Sequence, residues 1–382
     1  MPPLSVYIHW PYCLSKCPYC DFNSRVARDI DHEAWAKAYA QEILYYADLF
    51  PERQIGTIYF GGGTPSLMAA RTVEKVLETI ATQWTLTDNV EVTLEANPSS
   101  AETEKFKAFR AAGVNRLSLG VQSFRDDALR FLGRAHDADG ARRAVELAAR
   151  IFPRFSFDLI YARNNQTPEA WADELQEALA FKPKHLSLYQ LTIEPGTRFA
   201  ALAQQWPLVA PEDAAATMYE MTHEILRPAG LAAYEISNYA TMGEESRHNL
   251  TYWHYDDYIG VGPGAHGRIV LNGVRYATEN HAAPDDWLRQ VDEQGHGQSL
   301  NEVLDNETAQ REALMMGLRL TEGIDGARWQ EKFATPLLDF LPEARVKKLQ
   351  AEKLIAIEGN NLRATKEGLQ RLDSVLSYLI TL

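Results

Sequence analysis

Residues 4–20 read LSVYIHWPYCLSKCPYC, which places three cysteines directly after a run of β-forming residues. The first six residues of this stretch have the apolar and aromatic composition of a buried strand. The cysteines follow with the spacing Cys13-x3-Cys17-x2-Cys20, and the chain contains no others. An odd number of closely spaced cysteines does not suit a protein held together by disulfides. The three thiols therefore need one common explanation.

Three thiolates on one short loop can hold three corners of an iron–sulfur cubane and leave the fourth iron without a protein ligand. A structural zinc ion would need four ligands, and His9 is the candidate for the fourth, but it lies on the strand rather than on the loop. A redox pair of Cys17 and Cys20 would leave Cys13 unexplained. The spacing favours the cluster, with the zinc site and the redox pair as alternatives.

The first strand also begins an alternation of β-rich runs with amphipathic helical stretches, which continues to about residue 190. This pattern is typical of βα units around a parallel sheet. Strands are predicted at 4–9, 56–60, 90–94, 116–120, 155–160 and 185–190. Helices are predicted at 33–48, 69–84, 101–112, 126–132, 138–150 and 167–180. We therefore expect an α/β fold, a partial barrel of six βα units similar to a TIM barrel.

The alternation weakens further along the chain, which predicts three parts: 1–200, the barrel; 201–300, a connecting region; and 301–382, a C-terminal module. The last part contains helical stretches at 309–320 and 341–351, a hairpin-like stretch at 354–364 and a terminal helix. Helices with a small hairpin predict a small α+β module like a winged helix. We expect this module to serve packing or the formation of a homodimer.

Charge and hydropathy exclude several classes of function. The chain has 38 Lys and Arg against 52 Asp and Glu, a net charge of −14, which repels the phosphate backbone of nucleic acids. The N-terminus lacks the features of a secretory signal, and no long apolar run suits a membrane span. We expect a cytoplasmic protein without a nucleic-acid partner.

Polar or glycine-rich residues follow nearly every predicted strand. In a barrel of parallel strands the functional face lies at the carboxyl ends of the strands. Glycines 61–63 leave the backbone open to a ligand, although an ordinary βα turn is the alternative. Glu95 suits a ribose hydroxyl or an ammonium group, with a helix cap as the alternative. The candidate site residues at these strand ends are Tyr7, Gly62, Gly63, Thr64, Glu95, Gln122 and Asp158.

The cysteine loop resembles that of the radical S-adenosylmethionine (SAM) superfamily. The resemblance implies a [4Fe-4S] cluster on Cys13, Cys17 and Cys20, with SAM bound to the open iron. It also implies that Tyr19 covers the cluster and that the segment GGGTP at 61–65 meets the SAM amino group. The remaining candidates, Tyr7, Glu95, Gln122, Arg134 and Asp158, would surround SAM in the same cavity.

Four segments narrow the resemblance: YIHWPYC at 7–13, GGGTPS at 61–66, LEANP at 94–98 and GVQSF at 120–124. They resemble the oxygen-independent coproporphyrinogen III oxidase group, over nearly the whole chain. In the oxidases the cluster loop carries a fourth cysteine, where this chain has Phe22, and a long extension precedes the cluster. The heme-chaperone branch of the group instead carries a His-Asn-x-x-Tyr-Trp motif, and residues 248–253 read HNLTYW.

This branch implies that His248 ligates heme iron, with His266 as a second candidate, and that heme passes to respiratory apoproteins near the membrane. Imidazole is a common axial ligand, and Tyr and Trp offer flat faces for the macrocycle. The alternatives are a true oxidase that decarboxylates a tetrapyrrole and a barrel with a structural zinc ion. Whether the chain is an enzyme stays open. The chain departs from the group at 163–167, where RNNQT replaces a Pro- or Gly-containing turn. Whether the backbone of this loop contacts SAM therefore stays open.

Overall fold

The computed structural model describes residues 2–380. The strands, in chain order, are β1 (Leu4–Trp10), β2 (Tyr12–Cys13), β3 (Arg25–Val26), β4 (Gln54–Gly62), β5 (Thr85–Ala96), β6 (Arg116–Gln122), β7 (Arg154–Tyr161), β8 (His185–Gln190), β9 (Ala232–Ala233), β10 (Asn238–Ala240), β11 (Tyr258–Val261), β12 (His266–Leu271), β13 (Val274–Asn280), β14 (Gln298–Val303), β15 (Ile355–Glu358) and β16 (Asn361–Ala364).

The α-helices, again in chain order, are α1 (His32–Leu49), α2 (Ala70–Gln83), α3 (Ser100–Thr103), α4 (Phe106–Ala111), α5 (Asp126–Phe131), α6 (Ala138–Ile151), α7 (Pro168–Ala180), α8 (Arg198–Leu202), α9 (Glu212–Leu226), α10 (Arg247–Trp253), α11 (Pro284–Gln294), α12 (Asn306–Gly317), α13 (Gly326–Phe333), α14 (Leu337–Phe340), α15 (Glu343–Ala351), α16 (Lys366–Leu369) and α17 (Leu372–Ile380). Across residues 2–380, none of these helices is both long and apolar enough to cross a membrane.

Twelve strands form one sheet in the order β14-β13-β12-β11-β1-β4-β5-β6-β7-β8-β10-β9. The central strands β1, β4, β5, β6, β7 and β8 pair in parallel with one another in this order. They are the six strands predicted from the sequence, and each predicted helix between them is present, with the one at 101–112 split into two short helices. The expected α/β fold is confirmed.

The strand β1 shows why this sheet forms. Leu4, Val6, Ile8 and Trp10 alternate along it and are fully buried against the helical layer, while the intervening residues face the interior of the barrel. In a parallel sheet both faces of a strand are covered, so the strand carries few charged residues. The composition of β1 agrees with the predicted parallel topology. Asp31 caps the N-terminus of helix α1, because its side chain accepts hydrogen bonds from two backbone N–H groups of the first turn.

Residues 201–300, expected to be a connecting region, extend the sheet at both edges. At one edge β11 pairs in parallel with β1, and β12, β13 and β14 follow in antiparallel order. At the other edge β10 pairs antiparallel with β8. Buried Glu42 of α1 fastens the larger extension, because its carboxylate accepts hydrogen bonds from the backbone of Gly262 (2.8 Å) and Gly297 (2.7 Å) and from the indole of Trp287 (3.0 Å).

The C-terminal module has a hydrophobic core of its own, made of side chains from α12 to α17 and the β15–β16 hairpin. The hairpin is antiparallel and pairs Ile355 with Ala364, as the hairpin-like stretch at 354–364 predicts. Tyr255, just after α10, is buried in this core. The end of α10 therefore joins the barrel to the module.

Candidate functional site

A cavity of about 920 Å³ opens at the carboxyl ends of the parallel strands. Its walls come from the cysteine loop, from the strand ends and from residues 369–374 of the C-terminal module. The predicted site residues that line it are Cys13, Cys17, Tyr19, Cys20, Gly62, Gly63, Thr64, Glu95, Gln122, Arg134 and Asp158. The structure therefore brings together eleven of the thirteen predicted residues, and Tyr7 and His248 lie elsewhere.

The three thiols are unpaired and face this cavity, with Cys13 buried and the other two half-buried. The hydroxyl of Thr64 donates to the sulfur of Cys13, and the guanidinium of Arg134 donates to the sulfur of Cys17, each at 3.3 Å. Burial raises the pKa of the Cys13 and Cys20 thiols. Metal binding selects the deprotonated thiol, and the two donors stabilise negative sulfur.

This arrangement fits a [4Fe-4S] cluster better than a single ion. Within residues 2–380, no three side chains of His, Cys, Asp or Glu converge on one metal ion. The ligands of a structural zinc ion surround one point, whereas the cysteines of a cubane bind separate irons around one volume. His9, the candidate fourth zinc ligand, uses Nδ1 for the Tyr7 hydroxyl (3.0 Å) and Nε2 for the carbonyl of Asn23 (2.9 Å).

The glycine turn after β4 is built for a close approach of two chain segments. The N–H groups of Gly63 and Thr64 donate to the carbonyls of Trp10 (2.6 Å) and Tyr12 (2.9 Å). A Cβ at Gly63 would lie 2.7 Å from the Tyr12 carbonyl oxygen, and Gly62 has a φ of +110°. Only glycine suits these positions, and the bare backbone forms part of the cavity wall.

Two carboxylates, Glu95 and Asp158, also line the cavity, and Glu95 accepts a hydrogen bond from the backbone of Gly62 in the glycine turn. Burial raises the pKa of Glu95 to about 7, and the negative charge of Asp158 acts in the same direction. Burial likewise raises the pKa of Asp158 to about 6. Glu95 is the second-last residue of β5 and accepts a hydrogen bond from the Tyr59 hydroxyl at 2.7 Å, rather than capping a helix. The pair suits a ligand with cationic and hydroxyl groups.

Arg134 ties the cysteine loop to the strand ends. Its guanidinium donates to the sulfur of Cys17, to the side-chain oxygen of Asn97 and to the carbonyl of Gly120 (2.9 Å). Asn97 also donates to Thr64 at 3.1 Å, which makes it a site residue that the sequence analysis does not select. The sequence feature that could have identified Asn97 is its position two residues after Glu95, at the same strand end.

Gln122 lines the cavity, but the described residues that line it do not include the loop at 163–167. Gln122 has a φ of +68°, and its buried side-chain oxygen has no hydrogen-bond partner in the described part of the chain. An unpaired acceptor on a cavity wall is a site for a ligand donor. In the loop at 163–167, Asn165 has a φ of +61°, so asparagine provides the left-handed conformation expected of it.

Tyr7 and His248 lie beneath the cavity in the interior of the barrel. The imidazole of His248 is fully buried, and its ring lies 4.9 Å from that of Tyr59 and nearly parallel to it. Both ring nitrogens are hydrogen-bonded, Nδ1 to the Thr57 hydroxyl and Nε2 to the Tyr252 hydroxyl, each at 2.7 Å. Burial lowers the pKa of His248 to about 3. In this conformation neither nitrogen is open to a metal, and the roles of Tyr7 and His248 stay predictions.

Two protein-family models match the chain. Residues 7–178 match the radical SAM superfamily, and residues 304–371 match the HemN C-terminal domain. Among solved structures, coproporphyrinogen III oxidase (HemN) from Escherichia coli matches with a TM-score of 0.82 at 23% identity, over 98% of this chain and 89% of the other. At that identity the likeness shows the fold.

Three curated relatives are more similar in sequence. The heme chaperone HemW of Haemophilus influenzae is 41% identical over 76% of each chain, and that of Escherichia coli is 40% identical over 71% of each. The mitochondrial radical S-adenosyl methionine domain-containing protein 1 of Mus musculus is 41% identical over 98% of this chain and 87% of its own. The chain therefore belongs to the radical SAM superfamily, in the family that contains these heme chaperones and their mitochondrial counterparts.

Proposed function

We propose that the chain is a heme chaperone that binds a [4Fe-4S] cluster and SAM and passes heme to apoproteins. The observation that carries this proposal is the 40–41% identity to two heme chaperones over most of each chain. The position of the fourth cysteine in the oxidases, two residues beyond Cys20, is held here by an exposed Phe22. This difference supports the chaperone over the oxidase.

The cysteine loop would hold the cluster through Cys13, Cys17 and Cys20, and Tyr19 would cover it. One-electron reduction of the SAM sulfonium is the chemistry that such a cluster supplies at its open iron. The fit depends on three unpaired thiols that face one cavity and on two hydrogen-bond donors that stabilise their sulfurs. Iron and sulfide analysis of anaerobically reconstituted protein tests the cluster.

The residues around SAM would act by position and charge. The bare backbone at Gly62 and Gly63 would receive its amino acid part beside Thr64, while Glu95 and Asp158 would accept its cationic and hydroxyl groups. Gln122 would use its unpaired oxygen on the same ligand. Arg134 would hold the cysteine loop against the strand ends, and Tyr7 would support the cavity from below.

Heme is the cargo in this proposal, and His248 is the ligand that the sequence motif suggests. For that role α10 would have to move, because the imidazole is buried and bonded to Thr57 and Tyr252. A heme titration of a His248→Ala variant tests the assignment, since an unchanged Soret band and affinity would remove His248 from it. The proposed partners are respiratory apoproteins and a second copy of the chain in a homodimer. A peripheral contact with the membrane is also proposed. A cytoplasmic location also stays a prediction, and the names of the animal relatives place them in mitochondria.

The second candidate function is that of an oxygen-independent coproporphyrinogen III oxidase, whose fold this chain shares. The deciding experiment is an anaerobic incubation of reconstituted protein with coproporphyrinogen III, SAM and a reductant. The chaperone proposal expects no protoporphyrinogen. Steady formation of protoporphyrinogen would overturn it.

A further inference from the structure

Asn97 lies between the two side chains that donate hydrogen bonds to the cysteine sulfurs, and it lines the cavity. Its side-chain NH₂ group donates to the hydroxyl oxygen of Thr64 at 3.1 Å, and its side-chain oxygen accepts a hydrogen bond from the guanidinium of Arg134. The hydroxyl of Thr64 in turn donates to the sulfur of Cys13 at 3.3 Å. Arg134 donates to the sulfur of Cys17, also at 3.3 Å. One amide therefore connects the donors of two of the three sulfurs.

The guanidinium of Arg134 fixes the orientation of this amide. A guanidinium has only donors, so Asn97 must turn its oxygen toward Arg134 and its NH₂ group toward Thr64. A hydroxyl group has a single proton to donate. Because the oxygen of Thr64 accepts from Asn97, that proton is free to point to the sulfur of Cys13. We call this series of bonds the hydrogen-bond chain; it runs from Arg134 through Asn97 and Thr64 to Cys13.

A buried carboxylate holds the backbone of Asn97 in place. The N–H group of Asn97 donates to Glu102 at 2.9 Å, and Glu102 is 2% exposed. The same carboxylate accepts hydrogen bonds from the hydroxyls of Ser66 and Ser99. Ser66 belongs to the glycine-rich segment that also contains Thr64, so the carboxylate joins this segment to the end of β5. The amide and the hydroxyl are therefore held at fixed positions beside the cysteine loop.

The hydrogen-bond chain has a consequence for redox chemistry. Hydrogen bonds to the sulfurs of an iron–sulfur cluster are one of the factors that set its reduction potential. Uptake of an electron makes the sulfurs more negative, and a donor stabilises a charged acceptor more strongly than a neutral one. Donors to the cysteine sulfurs therefore favour the reduced cluster and raise its potential. Here such donors reach Cys13 and Cys17.

We propose that Asn97 is a positioning residue that raises the reduction potential of the cluster by directing hydrogen bonds to the sulfurs of Cys13 and Cys17. It acts on these sulfurs through Thr64 and Arg134. The inference rests on the cluster of the proposed function and adds to it a residue that controls how readily the cluster takes up an electron.

A redox titration of the anaerobically reconstituted full chain, without SAM, tests the proposal. Dithionite supplies one electron to each [4Fe-4S]²⁺ cluster, and the electron paramagnetic resonance signal of the [4Fe-4S]⁺ product is measured. In Asn97→Asp a second carboxylate oxygen replaces the NH₂ group, so Thr64 donates to this oxygen instead of to Cys13. We expect reduction to become about tenfold less favourable, which is a fall of about 59 mV for one electron. Asn89→Asp adds the same charge at an exposed position of β5 and is the matched control, with an unchanged potential.

The variant Thr64→Val separates the effect of the hydrogen bond from that of the added charge. It lacks the hydroxyl, so its potential should also fall, by about the same tenfold factor. Asn97→Asp should then cause a smaller further fall in this background than in the wild type, because no donor to Cys13 is left to redirect. Additive shifts of the two substitutions would overturn the proposal, since Asn97→Asp would then act by its charge alone.

The outcomes also distinguish this proposal from the proposed function. A wild-type chain that takes up no iron and sulfide would overturn the cluster and, with it, the role of Asn97. A wild-type cluster whose potential is unchanged in Asn97→Asp would overturn the role of Asn97 alone. If Asn97→Asp does not retain its cluster, Asn97→Leu decides by the same titration, because it removes the amide without adding charge. Its potential should also lie below that of the wild type, and an equal potential would overturn the proposal.

Discussion

The Nδ1 atom of His248 lies 2.7 Å from the hydroxyl of Thr57, which itself donates to Ser5 at 2.8 Å. The imidazole also lies against the ring of Tyr59, whose hydroxyl donates to Glu95 on the cavity wall. His248 is thus part of a buried network that reaches from α10 through β4 to the cavity at the cysteine loop. The network gives the histidine of the motif a structural role whether or not it ever meets heme.

A His248→Ala variant should therefore lose stability. Removing the imidazole leaves a cavity and unpaired hydroxyls in the barrel interior, which costs about 2–4 kcal/mol in the free energy of unfolding. Denaturant unfolding of the purified protein measures it. His266→Ala, at an exposed position, should change this free energy by less than about 0.5 kcal/mol. A variant as stable as the wild type would contradict the role of the network.

Arg134 should control how firmly the cysteine loop holds its cluster. An Arg134→Ala variant loses the donor to Cys17 and the bonds to Asn97 and Gly120, so both the thiolate and the loop position are weakened. We expect at least half of the iron and sulfide to be lost on gel filtration after anaerobic reconstitution, together with a weaker visible absorbance. Arg130→Ala, in the exposed last turn of α5, is the control and should retain its cluster. Equal iron content in both variants would show that the guanidinium is dispensable.

Local patterns explain why so much of the barrel and of its site is predictable. The alternation of β1, the cysteine spacing and the glycine turn are each contained in a few consecutive residues. The edge strands β11 and β12 escape prediction because each contains a glycine, which weakens its β-forming pattern. A Cβ at Gly260 would lie 2.2 Å from the His266 carbonyl oxygen, and Gly262 has a φ of +104°. The close contact and the backbone conformation here require glycine, a residue whose low β propensity argues against a strand.

The buried position of His248 could not be predicted from the sequence. Its partner Thr57 is 191 residues away in the sequence, and no local feature of the HNLTYW motif indicates that the imidazole faces the barrel interior. The motif suggests a heme ligand because its residue types suit heme. Which of its side chains point inward and which outward depends on how α10 packs, and this is decided by tertiary contacts.

Glu42 should be essential for the antiparallel extension of the sheet. A Glu42→Gln change replaces one acceptor oxygen by an NH₂ group among the N–H donors of Gly262, Gly297 and Trp287, so at least one buried donor loses its partner. We expect a loss of about 2–4 kcal/mol in the free energy of unfolding, measured by denaturant titration. Glu33→Gln, exposed in the first turn of the same helix, should cost less than about 0.5 kcal/mol. Similar unfolding midpoints for the two variants would contradict the prediction.

The two cavity carboxylates predict how SAM binding depends on pH. Burial raises the pKa of Glu95 to about 7 and that of Asp158 to about 6, so both gain protons as the pH falls through this range. SAM carries a sulfonium and an ammonium group, and a neutral carboxyl attracts such cations less than a carboxylate does. Between about pH 8 and about pH 6, we therefore expect the affinity of reconstituted protein for SAM to fall by about tenfold, as measured by calorimetry.

The stability of the protein without SAM should change in the opposite direction over the same range. A carboxyl whose pKa is higher in the folded than in the unfolded chain binds more protons when folded, so its contribution to stability is present at low pH and is lost as the pH rises through its folded-state pKa. In a Glu95→Gln variant this position no longer titrates. The fall in SAM affinity toward about pH 6 should then be smaller, and so should the loss of stability toward about pH 8. The pH dependence that remains is the contribution of Asp158. A wild-type affinity that is constant over this range would mean that neither carboxylate meets the cationic groups of SAM.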